Sequence, residues 1–146
     1  MPLLCDATRS LPLRDSSVAA VVIAELIEHV FRPDDLLREI ARVVAPGGWI
    51  VVTTPNLATL RDRIRFLFGR SPRHVDPRHP YLGLHIRPMT RSMICALLAD
   101  AGFDATAVRS NYVSLHPGNG RWLQVRWLAR WFPGLGGSLI VAARRR

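Results

Sequence analysis

Lysine is absent from this chain: all 20 of its basic residues are arginine. Against 11 acidic residues they leave a formal net charge of +9. Replacement that complete points to codon bias in a GC-rich genome more than to selection for phosphate contacts. The arginines are scattered, with a single cluster at Arg144 to Arg146. Nucleic-acid footprints gather basic residues into a stripe or a motif, so nucleic acid is not an expected partner. Cysteine is nearly as scarce. Cys5 and Cys95 suggest no disulfide framework, and free thiols in a reducing cytoplasm are the plainer reading. No apolar run is long enough to span a bilayer, and the N-terminus shows no basic-then-apolar signal pattern. Repeats and low-complexity tracts are missing too. With 49% hydrophobic residues among 146, the composition supports one α/β domain over residues 1–146 with a real core, and a cytoplasmic location.

What is present is concentrated between residues 18 and 56. Val18 to Ala24 is a short β-branched run suited to a parallel strand covered on both faces. Asp34 offers an N-cap, and Leu36, Leu37, Ile40, Val43 and Val44 share a helical face. Pro46, Gly47 and Gly48 should break that helix before a second strand, Trp49 to Thr54. Strand, helix and strand make a right-handed βαβ unit. Ligands in such sheets sit at the carboxyl ends of the strands, where Glu25, Glu28, His29 and Asn56 fall. Further along, Ala58–Phe68 reads as a helix with Leu60, Ile64, Leu67 and Phe68 on one side. Residues 70–89 read as a long loop of the kind that forms lids, in which His74 and His79 are expected to be solvated. Thr90 caps a helix that buries Met93, Ile94, Leu97, Leu98 and Ala101. Residues 105–114 read as a strand, 121–132 as a helix and 137–143 as a last strand.

The ordered words AELIEHV, LLREIARVVAPGG and VVTTPN, preceded by CDATRSLPLRDSSV, resemble the second half of a class I S-adenosylmethionine-dependent methyltransferase. The likeness is greatest to the broad type 11 group that contains the ubiquinone-pathway enzymes. It runs from about Cys5 to the C-terminus, with AGF at 101–103 and GSLIVAARRR in matching places. The resemblance implies a partial Rossmann-like fold holding strands four to seven of a seven-stranded sheet, in the order four, five, seven, six, with the last strand antiparallel. It also implies methyl transfer from S-adenosylmethionine, with O-methylation of a small or lipid-linked acceptor as the expected reaction. The family's glycine-rich turn after its first strand has no counterpart here, because Gly118, Gly120, Gly134, Gly136 and Gly137 all lie late in the chain. The chain is therefore expected to lack the N-terminal cofactor-binding half. A non-catalytic fragment that pairs its bare edge strand with a partner, or with itself, is the competing reading.

Three constellations carry the chemistry. By resemblance Asp6 accepts from the adenine amino group and the Ala7 amide serves a ring nitrogen, with Ala24 and Glu25 lining the same cofactor edge; the alternative is that Asp6 caps its own turn. In Glu25-x-x-Glu28-His29, helical spacing would point two carboxylates and an imidazole the same way. Such a set could hold a divalent cation, magnesium or manganese, and the resemblance adds His85 as a fourth ligand. Alternatively His29 is the catalytic base or orients the acceptor, and the glutamates pair with arginines or cap the turn. The third is RWLQVRWLARWF at 121–132. Its Leu123, Trp127 and Trp131 either pack onto the sheet, the favoured reading, or face a membrane surface or partner. The remaining apolar surface could cover an acyl-chain or isoprenoid substrate.

Overall fold

Val18–Ala24 forms strand β1, and a single 3-10 turn follows at Ile27–His29. Helix α1 spans Pro33–Val43 and runs directly into strand β2, Val44–Pro55. Helix α2 (Leu60–Leu67), helix α3 (Arg91–Asp100) and strand β3 (Phe103–Ser110) come next. A small hairpin of β4 (Val113–Leu115) and β5 (Leu123–Val125) leads into helix α4 (Arg126–Trp131) and the last strand, β6 (Ser138–Arg145). These elements belong to a computed structural model, which describes residues 5–76, 85–115 and 123–146.

The main sheet has the order β1-β2-β6-β3. β1 and β2 are parallel, and β6 runs antiparallel to both β2 and β3. This is the four, five, seven, six order that the resemblance implied. Because β6 alone is reversed, β1, β2 and β3 all end at the same edge. Their connections therefore gather there: the turn after β1, α2 after β2, and the β4–β5 hairpin with α4 after β3.

One face of the sheet is closed. Val21, Ile50 and Ala143 align across three strands, as do Ile23, Val52 and Val141. They join Leu37, Ile40 and Val43 of α1 and Ile94 and Leu98 of α3 in one core. The opposite face is open among the described residues, where Val22 is 69% exposed and Trp49 and Ile140 also reach solvent. β1 is thus covered on one face and not on two, because both helices packed on the sheet lie on the same side.

Several local expectations are corrected. Arg32, not Asp34, is the N-cap of α1, and it makes no side-chain cap bond; Pro33 occupies the first turn instead. Proline suits that position because its missing N–H would be unpaired there anyway. Asp34 and Asp35 then stand in the first turn and hold Arg32 and Arg38. Pro46-Gly47-Gly48 does not separate helix from strand but is absorbed into β2, with a register shift against β1 between Val18 and Ala20. A Cβ on Gly48 would lie 2.8 Å from the Ala19 and Ala45 carbonyl oxygens, so only glycine lets the strands approach. The strand foreseen at 105–114 is two, β3 and β4, and residues 123–132 of the foreseen C-terminal helix are β5 and the short α4. α3 keeps its Thr90 cap, through the Met93 N–H at 3.3 Å, but leaves Met93 partly exposed.

The segment before β1 is pinned to α1 by Glu39 together with Arg42, which also donates to the Leu11 and Leu13 carbonyls at 3.1 and 3.0 Å. Glu39 Oε1 accepts from the Leu11 N–H at 2.7 Å and from Arg42 Nη2 at 2.6 Å. The Arg42 hydrogen bond is the main cause that holds the Glu39 carboxyl down at about 2, against 4.5 ordinarily. A depressed folded-state pKa adds stability that is complete above 4.5 and is lost as pH falls toward 2. Acid unfolding followed by circular dichroism should show this loss over that window. Glu39→Gln should flatten the profile there and lower stability at neutral pH.

Candidate active site

The turn after β1 is built around a buried acid. Glu25 ends the strand in the left-handed region at φ 47°, held by its N–H to the Thr53 carbonyl at 3.1 Å. That reversal sends the chain into the 3-10 turn, where buried Ile27 anchors the segment in the core and Glu28 follows it inward. Glu28 is 1% exposed. Its Oε2 accepts from Thr54 Oγ1 at 3.1 Å, and its Oε1 lies 3.8 Å from His29 Nε2. No described residue donates a hydrogen bond to that Oε1. A buried carboxylate oxygen without a donor is costly, which makes it a place where a cation or donor belongs.

Two backbone links bring the 85–89 segment onto this turn. The Arg87 N–H donates to the Glu28 carbonyl at 3.0 Å, and the Leu57 N–H donates to the Met89 carbonyl at 2.8 Å. His85 consequently meets His29 edge-on, with ring centroids 4.9 Å apart. One ligand atom from each of Glu28, His29 and His85 lies within 4.8 Å of the others.

Three of the four residues proposed as metal ligands are thus together, and Glu25 is not among them. The helical spacing that would have aligned it begins only after Leu26, and Glu25 sits before it, exposed and at a positive φ. His74, expected to be solvated, has its ring 5.7 Å from His85. His79 lies outside the described residues. Ala24 ends β1 beside Thr53. Asp6 does cap its own turn: Oδ1 accepts from the Thr8 N–H at 2.9 Å and the Thr8 hydroxyl at 2.6 Å, and Arg9 stands at 3.3 Å. Those Thr8 bonds hold its carboxyl below the usual range, and Ala7 packs partly against the core.

Two supporting residues have structural duties at this edge. Asn56, fully buried, donates through Nδ2 to the Gly134 and Gly136 carbonyls at 3.0 and 2.8 Å, and so ties the end of β2 to the approach to β6. Asp62 is buried inside α2. It accepts from Thr59 Oγ1 at 2.6 Å and from the Arg73 N–H at 3.0 Å, with the Arg73 guanidinium at 3.3 Å. Burial alone pushes its carboxyl up, but these hydrogen bonds and the Arg73 charge together hold it below the usual range. The Thr59-x-x-Asp62 spacing resembles a capping box and was the signal in the sequence. The bond to Arg73 also fixes the 3-10 turn at Arg73–Val75 that carries His74.

Residues 2–52 match a family model described as a methyltransferase domain. A probable S-adenosylmethionine-dependent methyltransferase from Mycobacterium tuberculosis is 39% identical over 93 residues, which cover 64% of this chain and 29% of the relative. A malonyl-[acyl-carrier protein] O-methyltransferase from a Marinomonas species is 32% identical over 66 residues, covering 45% and 24%. Among solved structures, an S-adenosylmethionine-dependent methyltransferase from Thermotoga maritima superposes with a TM-score of 0.66 at 18% identity, over 99% of this chain and 63% of that one. Over the matched residues the chain is similar to S-adenosylmethionine-dependent methyltransferases, and it has the Rossmann-like fold of the solved ones. Its alignments span less than a third of the length of these curated relatives.

Asp62→Ala should remove the carboxylate that accepts from the Thr59 hydroxyl and leave the Arg73 N–H unanswered, at a cost of roughly 1–3 kcal/mol. Urea unfolding measures this. A change within error would mean that Asp62 does not hold this edge together.

Proposed function

We propose that this chain contributes the acceptor side of an S-adenosylmethionine-dependent O-methyltransferase acting on a hydroxyl of a small or lipid-linked metabolite. The observation that carries the reading is the Glu28–His29–His85 cluster at the carboxyl edge of the parallel strands, where ligands of such sheets sit. Methyl transfer asks the protein to align oxygen, methyl and leaving sulfur, and to take up one proton. His29 is half-open to solvent beside buried Glu28, and an imidazole so placed can accept the hydroxyl proton. The O-methyltransferase among the relatives supports oxygen as the acceptor atom. Asp6 and Ala7 are assigned to the cofactor's adenine and Ala24 and Glu25 to the same cofactor edge; the second Asp6 oxygen, outside the Thr8 bonds, faces Arg9 at 3.3 Å.

The same donor set fits a divalent cation: one buried carboxylate oxygen lacking a donor among the described residues, next to two imidazoles. Glu28, His29 and His85 would hold it, and a bound cation would lower the pKa of the acceptor hydroxyl. His29→Ala should reduce turnover by about 10²–10⁴-fold, the usual loss for a positioned base, while affinity for S-adenosylmethionine changes little. Chelation should lower turnover in the parent protein, with manganese or magnesium restoring it. Turnover untouched by chelator but abolished in His29→Ala leaves His29 as base without a metal. Full activity of His29→Ala sinks the assignment altogether.

A second reading rests on the open sheet face and the β1 edge. Val22, Trp49 and Ile140 are apolar and exposed on one side of the sheet, and β1 has no neighbour on its outer edge among the described residues. Unpaired strands with exposed apolar faces recruit another strand or self-associate. Multi-angle light scattering of this chain should therefore find a dimer or larger species, and Val22→Lys should shift it toward monomer. A monomer at all concentrations removes this reading.

A further inference from the structure

We infer that the aromatic and arginine-rich surface formed by α2, the residues just after it, and α4 docks on an anionic lipid bilayer. The packing expected for α4 does not occur. Trp127 and Trp131, foreseen on the sheet, are 66% and 75% exposed, and only Ala129 of α4 is buried. α2 behaves in the same way. Its buried residue is Asp62, while Phe66, Leu67 and Phe68 are each at least 71% exposed. Neither helix spends its large apolar side chains on the core. Both pack against the same small strand, β4, and both lie in connections that leave the carboxyl edge of the main sheet, after β2 and after β3.

Charge selects the occupant. Residues 60–70 and 123–132 contain six arginines and one acid. That acid is Asp62, which is buried and already answered by Thr59 and Arg73. Arg63, Arg70, Arg126 and Arg130 are exposed beside the aromatic side chains. Tryptophan and phenylalanine rings at the depth of the headgroups, with arginines reaching lipid phosphates, suit an anionic interface. A neutral protein groove would match the rings and leave the cations unanswered. No helix among the described residues is long and apolar enough to cross a membrane, so the contact is peripheral. The surface also adjoins the edge that carries Glu28, His29 and His85. A lipid-linked acceptor held in such a bilayer would be presented to that edge, although docking itself does not require the methyl-transfer reading.

The test is flotation of this chain with vesicles of phosphatidylcholine alone and of phosphatidylcholine mixed with phosphatidylglycerol. The chain should float with the anionic vesicles, its tryptophan emission should move to the blue, and raised salt should weaken the association. The double variant Trp127→Ser/Trp131→Ser, whose replaced rings lie outside the core, should lower partitioning by about tenfold or more. Arg126→Gln/Arg130→Gln should erase the preference for anionic vesicles while retaining the native circular dichroism spectrum, which separates docking from a folding defect. Equal flotation with neutral vesicles overturns the inference, as does binding unchanged in both double variants. Failure to float, with Trp127 and Trp131 protected only in a protein oligomer, assigns the surface to a protein partner and overturns it as well.

Discussion

Everything at the edge that carries the candidate site depends on β6 running backwards between β2 and β3. Leu139, Val141 and Ala143 of that strand are fully buried, and its hydrogen bonds join the two halves of the sheet. Because it alone is reversed, three strands finish on one side, and their connections have no other place to go. The turn holding Glu28, the 85–89 segment, the α2 cap and α4 are brought together by this arrangement, not by closeness in sequence. Asn56 reinforces it by hydrogen-bonding carbonyls 78 and 80 residues away.

Within that frame the site is held by a few polar contacts that are expensive to break. Glu28 is drawn inward by its neighbour Ile27, and Thr54 answers one of its two oxygens. The other faces His29, and the Glu28 carbonyl also receives the Arg87 N–H that brings in the His85 segment. Side chain and backbone of one residue thus organise both histidines.

The two sides of the molecule differ in character. The α1–α3 side is a closed core sealed by Glu39 and Arg42 against the segment before β1. The opposite sheet face and the α2–α4 surface leave valine, phenylalanine and tryptophan in solvent. Exposed apolar area of that extent marks surfaces that meet something else. The bare sheet face offers a pleated apolar plane, whereas the α2–α4 surface mixes rings with guanidinium groups. Their different chemistry is the reason for assigning them different occupants.

Periodicity and punctuation in the sequence determined β1, α1, β2, α3 and the last strand, because each alternates or repeats its apolar residues at the spacing of its own backbone. The words around Glu25 to Val30 and Ala45 to Asn56 also carried the methyltransferase resemblance and, with it, the strand order. Local signals went wrong where tertiary contacts decide. A Pro-Gly-Gly word reads as a break, but pairing with β1 pulls it into a strand. An apolar helical stripe reads as core, but α2 and α4 lie beyond the sheet edge with no core to enter. Helical spacing grouped Glu25 with Glu28 and His29, and a single positive φ separated it. His74 joined the histidines because Asp62, eleven residues before Arg73, fixed its turn. Side-chain burial and long-range hydrogen bonds settled these positions, and neither leaves a local imprint on the chain.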